Sequence, residues 1–215
     1  MSWDSIDIQW NTQWAEDKAH STIDDLAINQ RALSRKIQYN DLAYTRAKNL
    51  ADLCKLPSEN QQYRIITEKA FNAFALIKYI LEEHDIQEVY ISIYRINQPI
   101  AETIIEMVQE NIIPKITFIL SNFFTNTTKS ERWVHIIKDF AEQDSRCRAA
   151  FIHNHSKVAL IKTKDKKHFI LEGSGNMSDN ARIEQYILEQ NKEVYDFHKE
   201  WMEEVYNKYY SCSHE

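Results

Sequence analysis

The chain reads His153-Asn-His155-Ser-Lys157 and, after a short apolar run and a charged turn, Glu172-Gly-Ser-Gly-Asn176. The protein has 2 glycines in 215 residues, and both lie in the second of these stretches, at Gly173 and Gly175. Glycine is needed where the backbone takes a positive φ or where another group approaches it closely. The sequence here therefore indicates a ligand-facing turn, with a purely structural turn as the alternative.

The residues between the two stretches predict a β-hairpin. The run 156–161 has the apolar, β-branched composition of a strand, and a second apolar run follows the charged turn. Side chains two apart on a strand share a face, so His155 and Lys157 should lie side by side, and the hairpin should bring Ser174 and Asn176 to the same end. Lysine and asparagine bind phosphate oxygens, and an unprotonated histidine can attack phosphorus.

The pattern H-x-K followed by G-S-x-N resembles the signature of the phospholipase D superfamily, and the likeness extends over roughly residues 60–210. The resemblance implies a PLD-like α/β domain and phosphodiester chemistry. It implies that His155, Lys157 and Asn176 are catalytic and that Ser174, Gly173 and Gly175 bind substrate. The family has an aspartate five residues after the lysine, where this chain has Lys162.

The resemblance also implies a glutamate that orients the nucleophilic histidine. Glu184 is the position that matches it, and Glu189 is the rival. His153, two residues before His155, is expected to contribute a supporting hydrogen bond at the substrate. A metal site formed by Cys147, His153 and His155 is the alternative, but the sequence offers no fourth ligand at a suitable spacing. We therefore predict no metal and no cofactor.

Composition sets further bounds. The net charge is −6, so the protein does not coat nucleic acid with its whole surface. No apolar run approaches the roughly 18 residues of a membrane span, and the first residues lack a signal-peptide pattern, so we expect a cytoplasmic protein without a membrane partner. The 3 cysteines are widely spaced, which favours reduced thiols.

Basic residues are concentrated around the motif. Residues 145–168 contain seven lysines and arginines against Asp165 alone, which predicts a basic surface at the site for an anionic substrate. The alternative for Lys164, Lys166 and Lys167 is a solvated hairpin tip.

Residues 1–57 predict an N-terminal helical arm. Its first 18 residues contain three tryptophans, which typically dock onto the same domain or a partner. Apolar spacing from about 22 to 53 predicts one long helix or two shorter ones, with a helix-turn-helix as a weaker alternative. Pro57 marks the boundary, because proline disfavours helix in the preceding residue.

Residues 58–215 predict the PLD-like domain. A capping-box pattern at Ser58 and Gln61 and an apolar stripe from Tyr63 to Ile80 predict its first helix. A β-α-β rhythm follows, which indicates parallel strands with ligands at their carboxyl ends. The polar stretch 121–130 is either a rim that selects substrate or a plain surface loop. With the hairpin, these elements predict a mixed sheet flanked by helices.

The function that we predict is metal-independent phosphodiester hydrolysis through a phosphohistidine, with nucleic acid as the first choice of substrate. Because the chain has one H-x-K motif and the resembled enzymes assemble two per active site, we predict a homodimer. The alternatives are an inactive PLD-like module that binds nucleic acid or protein, in a phage or mobile-element setting, and a phospholipid hydrolase.

Overall fold

The computed structural model describes residues 41–47, 53, 55–68, 71–125, 131–178 and 183–212. In this part of the chain, eight strands form one mixed sheet flanked by helices, which confirms the predicted α/β class. The strands are β1 Asp41–Ala47, β2 Gln61–Glu68, β3 Ile86–Ile93, β4 Ile116–Ser121, β5 Cys147–Ile152, β6 Val158–Thr163, β7 His168–Gly173 and β8 Ile183–Gln190. The α-helices are α1 Ala73–Glu83, α2 Gln98–Gln109, α3 Arg132–Gln143 and α4 Lys192–Cys212.

The sheet order is β1-β2-β8-β7-β6-β3-β4-β5. The strands of the predicted β-α-β run, β3, β4 and β5, are parallel to one another, and β1 is parallel to β2. All other neighbours are antiparallel, including the predicted hairpin of β6 and β7. The carboxyl ends of β3, β4, β5 and β7 therefore meet the amino ends of β6 and β8 at one edge of the sheet.

Helices cover both faces of this sheet. Alternate residues of β3 point to opposite sides, so Val89 and Ile91 join the core under α1, α2 and α3, whereas Tyr90 joins the core under α4. Each face thus buries its own apolar cluster, the arrangement of a three-layer α/β domain. No helix in the described ranges is long and apolar enough to cross a membrane.

Asparagine side chains cap the starts of three of the described helices, and at α1 the Asn72 Oδ1 accepts from the backbone N–H of Ala75 at 3.2 Å. Asn97 Oδ1 accepts from the backbone N–H of Ile100 at 3.0 Å, at the start of α2. Asn191 Oδ1 accepts from the backbone N–H groups of Glu193 at 2.9 Å and Val194 at 3.1 Å, at the start of α4. These bonds satisfy N–H groups that have no partner within the helix itself.

The helix predicted from Ser58 to Ile80 is wrong in its first half, where β2 stands instead. Ser58 N–H does donate to Gln61 Oε1 at 2.9 Å, but that contact leads into a strand. Burial along β2 has a period of two: Ile65 and Thr67 are buried, whereas Ile66 is exposed. The apolar spacing that suggested a helix therefore counted a side chain that lies outside the core.

The helix predicted over about 22–53 is wrong at 41–47, which forms β1 and pairs with β2. Tertiary pairing thus overrides the helical spacing there. The sheet begins before the predicted boundary at Pro57. The tryptophans, the helix-turn-helix alternative and the remainder of the arm up to residue 40 lie outside the described residues, so the domain division stays a prediction.

Candidate active site

The predicted site residues lie at the sheet edge where β3, β4, β5 and β7 end. The hairpin pairing places Val158 opposite Glu172, and the backbone N–H of Gly173 donates to the Lys157 carbonyl at 3.2 Å. Lys157 and the turn after β7 are thereby joined directly. The sequence predicted this arrangement. In open α/β sheets, ligand sites generally lie at the carboxyl ends of parallel strands, as the candidate site does here.

His155 and Lys157 precede β6 rather than lie within it, because that strand begins at Val158. Their side chains nonetheless meet as predicted. The Lys157 ammonium donates to the His155 carbonyl at 3.1 Å, and its Nζ lies 3.5 Å from His155 Nδ1. The second distance is too long to fix the imidazole tautomer. His155 is exposed, and its Nε2 makes no hydrogen bond to a described residue.

Burial lowers the pKa of Lys157, and the charge of Glu184 partly opposes this by favouring the protonated form. No carboxylate of the described residues contacts the Lys157 ammonium directly, so within this part of the chain its charge is not neutralised. Such a group favours an anionic ligand, because binding would supply the missing counter-charge.

Ser174, directly after β7, contacts Glu184 at the start of β8. The Ser174 hydroxyl donates to a Glu184 carboxylate oxygen and accepts from the backbone N–H of Gln185 at 3.0 Å. Glu184 makes no contact with the imidazole within the described part of the chain, so its predicted orienting role stays a prediction. The rival, Glu189, is buried five residues further along β8 and accepts from Gln62 at 3.2 Å, away from this edge.

Asn176 is oriented by the backbone of the residues after β3. Its Oδ1 accepts from the backbone N–H of Arg95 at 3.3 Å. The following residue, Met177, is joined to the same segment through its backbone. Its N–H donates to the Arg95 carbonyl at 3.2 Å, and its carbonyl accepts from the Asn97 N–H at 2.9 Å. The Nδ2 donors of Asn176 have no partner among the described residues. The amide is thus held by its oxygen, with its N–H groups available.

Gly173 permits close packing against the neighbouring strand. A Cβ on Gly173 would lie 2.4 Å from Tyr186 Cδ1 and 2.6 Å from the Gln185 carbonyl oxygen on β8. Neither glycine has a positive φ, and Gly175 is buried. Glycine can be required by a positive φ or by the close approach of another group. For Gly173 the reason is close approach, and the approaching group is the neighbouring strand β8. Its predicted role at a substrate stays a prediction, as does that of Gly175.

His153 and Lys162 differ from the other motif positions. His153 follows β5 and is exposed, and it makes no hydrogen bond to another described residue. Lys162, in the family's aspartate position, is opposite Glu88 on β3 and His168 on β7. It is five residues beyond Lys157, which corresponds to roughly 16 Å along a strand. An aspartate at position 162 would therefore not reach a phosphate bound at Lys157.

The predicted basic surface at the site is wrong. Only Lys157 of the seven basic residues lies at this edge, because Arg146 and Arg148 are at the opposite end of β5 and the lysines after Lys162 belong to the far turn of the hairpin. Several of them are paired: Arg146 with Asp144, Arg148 with Glu203, and Lys167 with Asp165 at 3.3 Å. Strand geometry separates residues that are adjacent in the sequence.

The metal alternative fails on distance. Cys147 is buried at the start of β5, and His153 follows its end, six residues or roughly 20 Å away. Burial also raises the pKa of the Cys147 thiol to about 12, which opposes the thiolate that a metal requires. Within the described ranges, no three histidine, cysteine or acidic side chains are grouped to hold a metal ion.

Asn154 is a supporting residue that the sequence analysis missed. Its Nδ2 donates to the Ile119 carbonyl at 2.8 Å, to Ser92 Oγ at 3.1 Å and to the Ile93 carbonyl at 3.3 Å. Its Oδ1 accepts from Ser156 N at 2.9 Å and Ser156 Oγ at 2.8 Å. One side chain therefore fixes the segment that carries His155 to the ends of β3 and β4. Its position between the two histidines was the available signal.

Aromatic rings next to His155 were missed as well. The Tyr94 ring, just after β3, lies 4.8 Å from the imidazole between ring centroids. Tyr94 also contacts Phe123 at 6.1 Å and Phe124 at 5.1 Å between ring centroids, in a short 3₁₀-helix that directly follows β4. This first part of the predicted rim thus borders the site, and residues 126–130 lie outside the described residues.

No protein-family model and no curated protein matches the chain. Several solved structures are similar at low identity. Nuc from Salmonella typhimurium, a phospholipase D family member, has a TM-score of 0.49 and 12% identity over 68% of this chain and 95% of its own. NucT from Helicobacter pylori has a TM-score of 0.46 and 18% identity over 66% and 94%. Polyphosphate kinase from Porphyromonas gingivalis has a TM-score of 0.48 and 16% identity over 65% of this chain and 25% of its own.

Proposed function

We propose that the protein is a metal-independent phosphodiesterase that acts on nucleic acid. The observation that supports this most directly is the group formed by the Lys157 ammonium, the His155 imidazole and the Asn176 amide at one open edge of the sheet. Lysine and amide N–H groups are suited to the non-bridging oxygens of a phosphate, and an exposed imidazole is suited to attack its phosphorus.

The proposed reaction has two displacements at phosphorus. In the first, an unprotonated nitrogen of His155 forms an N–P bond while the bond from phosphorus to the leaving oxygen breaks, and a second histidine gives that oxygen a proton. In the second, that histidine removes a proton from water, whose oxygen displaces His155 and releases a phosphomonoester. Lys157 and Asn176 stabilise the charge that develops on the non-bridging oxygens.

The second histidine is supplied by another copy of the chain in this proposal. The chain has one H-x-K motif, and His155 is exposed at the sheet edge, where a two-fold axis can bring two copies together. Sedimentation equilibrium at micromolar concentration should therefore report a dimer. A monomer that retains full activity would overturn this part of the mechanism.

Glu184 is proposed to act on the site through charge. It contacts the Ser174 hydroxyl, and its charge partly offsets the lowering of the Lys157 pKa by burial, without forming a direct ion pair that would compete with phosphate. A contact between Glu184 and Nδ1 of His155, as in orienting acids of hydrolases, remains part of the proposal for the substrate-bound state.

The first experiment is cleavage of single- and double-stranded DNA and RNA in excess EDTA by the wild-type protein, His155→Ala and His153→Ala. We expect cleavage by wild type and loss in His155→Ala. His153→Ala tests the predicted supporting hydrogen bond of the neighbouring imidazole, and we expect a smaller loss there than in His155→Ala. Binding without turnover by both wild type and His155→Ala would instead support the binding-module alternative, and hydrolysis of phospholipid vesicles alone would support the lipase alternative.

A further inference from the structure

The two most exposed large apolar side chains of the described residues both border the candidate site. Phe123 is 59% exposed and follows β4, and Ile183 is 68% exposed and begins β8, next to Glu184. Single exposed apolar side chains are common on protein surfaces, so it is the position of Phe123 beside the reacting histidine, more than its exposure, that suggests contact with a ligand. The phosphate chemistry alone does not require either of them.

Phe123 is presented rigidly. Ser121 Oγ accepts from its backbone N–H at 3.3 Å, which caps the 3₁₀-helix. Its ring packs edge-on against Phe124 at 5.2 Å, and the buried Phe124 packs in turn on Trp133 at 5.6 Å. A fixed ring with one open side loses little conformational entropy when a flat ligand stacks on it.

The ring is connected to the reacting group through one intermediate side chain. Tyr94 contacts both Phe123, at 6.1 Å between centroids, and His155, at 4.8 Å. A group that extends from a phosphate bound at His155 along this row of rings would pass over Tyr94 and reach Phe123. In a polynucleotide, the groups that flank each phosphate are nucleosides, whose bases have two flat faces.

Aromatic stacking complements the charge at this edge of the sheet. The Arg95 guanidinium pairs with Glu131 at 2.7 Å, and the lysines of the hairpin turn lie at the other end of β6. Within the described residues, Lys157 is the lysine here that lacks an ion pair. Stacking on an aromatic ring is the other general source of nucleic-acid affinity, and Phe123 is placed to supply it.

We propose that Phe123 is a base-stacking residue and that the substrate is single-stranded nucleic acid, with an unpaired base beside the scissile phosphate lying on this ring. The inference rests on the proposed phosphodiesterase function and adds a substrate class to it. A paired base is enclosed between its neighbours in a duplex, so only an unpaired base can offer its face to a protruding ring.

The test separates bases from backbone. Binding of two fluorescent oligomers is measured in the full chain carrying His155→Ala: one of thymidines, and one of the same length in which abasic residues keep every phosphate. Adding Phe123→Ala should weaken thymidine binding about ten-fold, the effect of one base–aromatic stack, and leave abasic binding unchanged. Phe123→Trp should retain thymidine binding. Phe197→Ala, which removes another exposed ring, from α4, is the matched control.

An equal loss on both oligomers, or no loss on either, would overturn the stacking inference. Binding of the same variants to phospholipid vesicles is measured alongside. If Phe123→Ala weakens vesicle binding and leaves thymidine binding unchanged, the ligand is a lipid and the stacking inference is overturned. Cleavage separates the failure of one proposal from the failure of the other. If the protein with His155 intact cleaves both oligomers, but Phe123→Ala changes the binding of both equally or of neither, the stacking inference alone fails. If it cleaves neither, the phosphodiesterase proposal fails, whereas the binding comparison still tests Phe123.

Discussion

Both ends of the β6–β7 hairpin contain lysines, but the lysines of the two ends differ in their ion pairing. At the far turn, Lys167 lies 3.3 Å from Asp165 and Lys164 lies 3.9 Å from Asp85. At the near end, Lys157 contacts a backbone carbonyl and an imidazole, and has no ion-pair partner in the described part of the chain. Of the three lysines of the far turn, Lys164 and Lys167 are ion-paired, and Lys166 is exposed without an ion pair to another described residue. Lys157 at the near end instead lies beside the His155 imidazole, where its charge can act on a bound phosphate. A count of charges along the sequence does not locate that cation.

The sharpest test of this comparison removes the lysines of each end separately. Lys157→Met should lower the turnover of a phosphodiester about 100- to 1,000-fold, the usual effect of removing one group that stabilises transition-state charge. The triple variant Lys164→Ser, Lys166→Ser, Lys167→Ser should retain activity, because these charges lie beyond the roughly 10 Å screening length at 0.1 M salt. Steady-state kinetics on one oligonucleotide substrate compares them. A larger loss in the triple variant would reverse the comparison.

The rigidity of the near end depends on Asn154. Asn154→Ala should lower kcat and reduce the free energy of unfolding by about 1–3 kcal/mol, because it leaves buried partners without hydrogen bonds. Asn191→Ala is the matched control, since it removes another interior asparagine, which begins α4 at a distance from the site. Denaturant unfolding should show a loss in both variants, whereas kcat measured on folded protein should fall only in Asn154→Ala. An equal kcat in the two would refute a positioning role.

The charge of Glu184 should be visible in the pH dependence of activity. Phosphate binding requires the protonated Lys157, whose pKa lies below the ordinary 10.5 because of burial, so activity should fall as pH rises through that lowered pKa. Glu184→Gln keeps an acceptor for Ser174 but removes the charge that raises this pKa. The alkaline limb of the pH–rate profile should then move to lower pH. A limb that stays in place, or moves upward, would contradict the proposed electrostatic role.

The smallest effect is expected at the position where the resembled family has aspartate. Lys162→Asp should leave activity unchanged, because the residue lies roughly 16 Å from Lys157 along the strand. It should lower the free energy of unfolding by about 0.2–1 kcal/mol, because it puts a second carboxylate opposite Glu88 on β3. Thermal unfolding and turnover measure both effects. A gain in activity would show that the aspartate contributes to the site.

Sequence predicted the fold best where a periodic pattern and a turn agreed. The hairpin of β6 and β7, the strands β3 to β5 and the helix α4 combine apolar runs with clear breaks, and these elements formed near their predicted bounds. In β2 the positions of Tyr63 and Ile66 happened to continue the helical spacing of α1, although Ile66 is exposed. Pairing with β1 and β8 decided that segment, and pairing partners distant in sequence leave no local pattern.

The site was predictable where it depends on the motif and unpredictable where it depends on packing. His155 and Lys157 were found through their spacing, and their side chains do meet. Asn154 was missed and Phe123 was included only as part of the stretch 121–130, because their positions beside His155 depend on the ends of other strands, which only the folded sheet brings near. Glycine scarcity drew attention to Gly173, but its cause, contact with Tyr186, required the register between β7 and β8.

The pairing of β2 with β8 has a consequence for synthesis of the protein. Gln61 is opposite Gln190, so β2 pairs with a strand that leaves the ribosome more than a hundred residues later. Strands β3 to β7 can pair among themselves before that point, but β1 and β2 cannot join the sheet until β8 is available. Contacts this distant in sequence make folding slow and leave unpaired edges exposed for longer. The nascent chain is therefore most vulnerable to aggregation just before β8 and α4 are made.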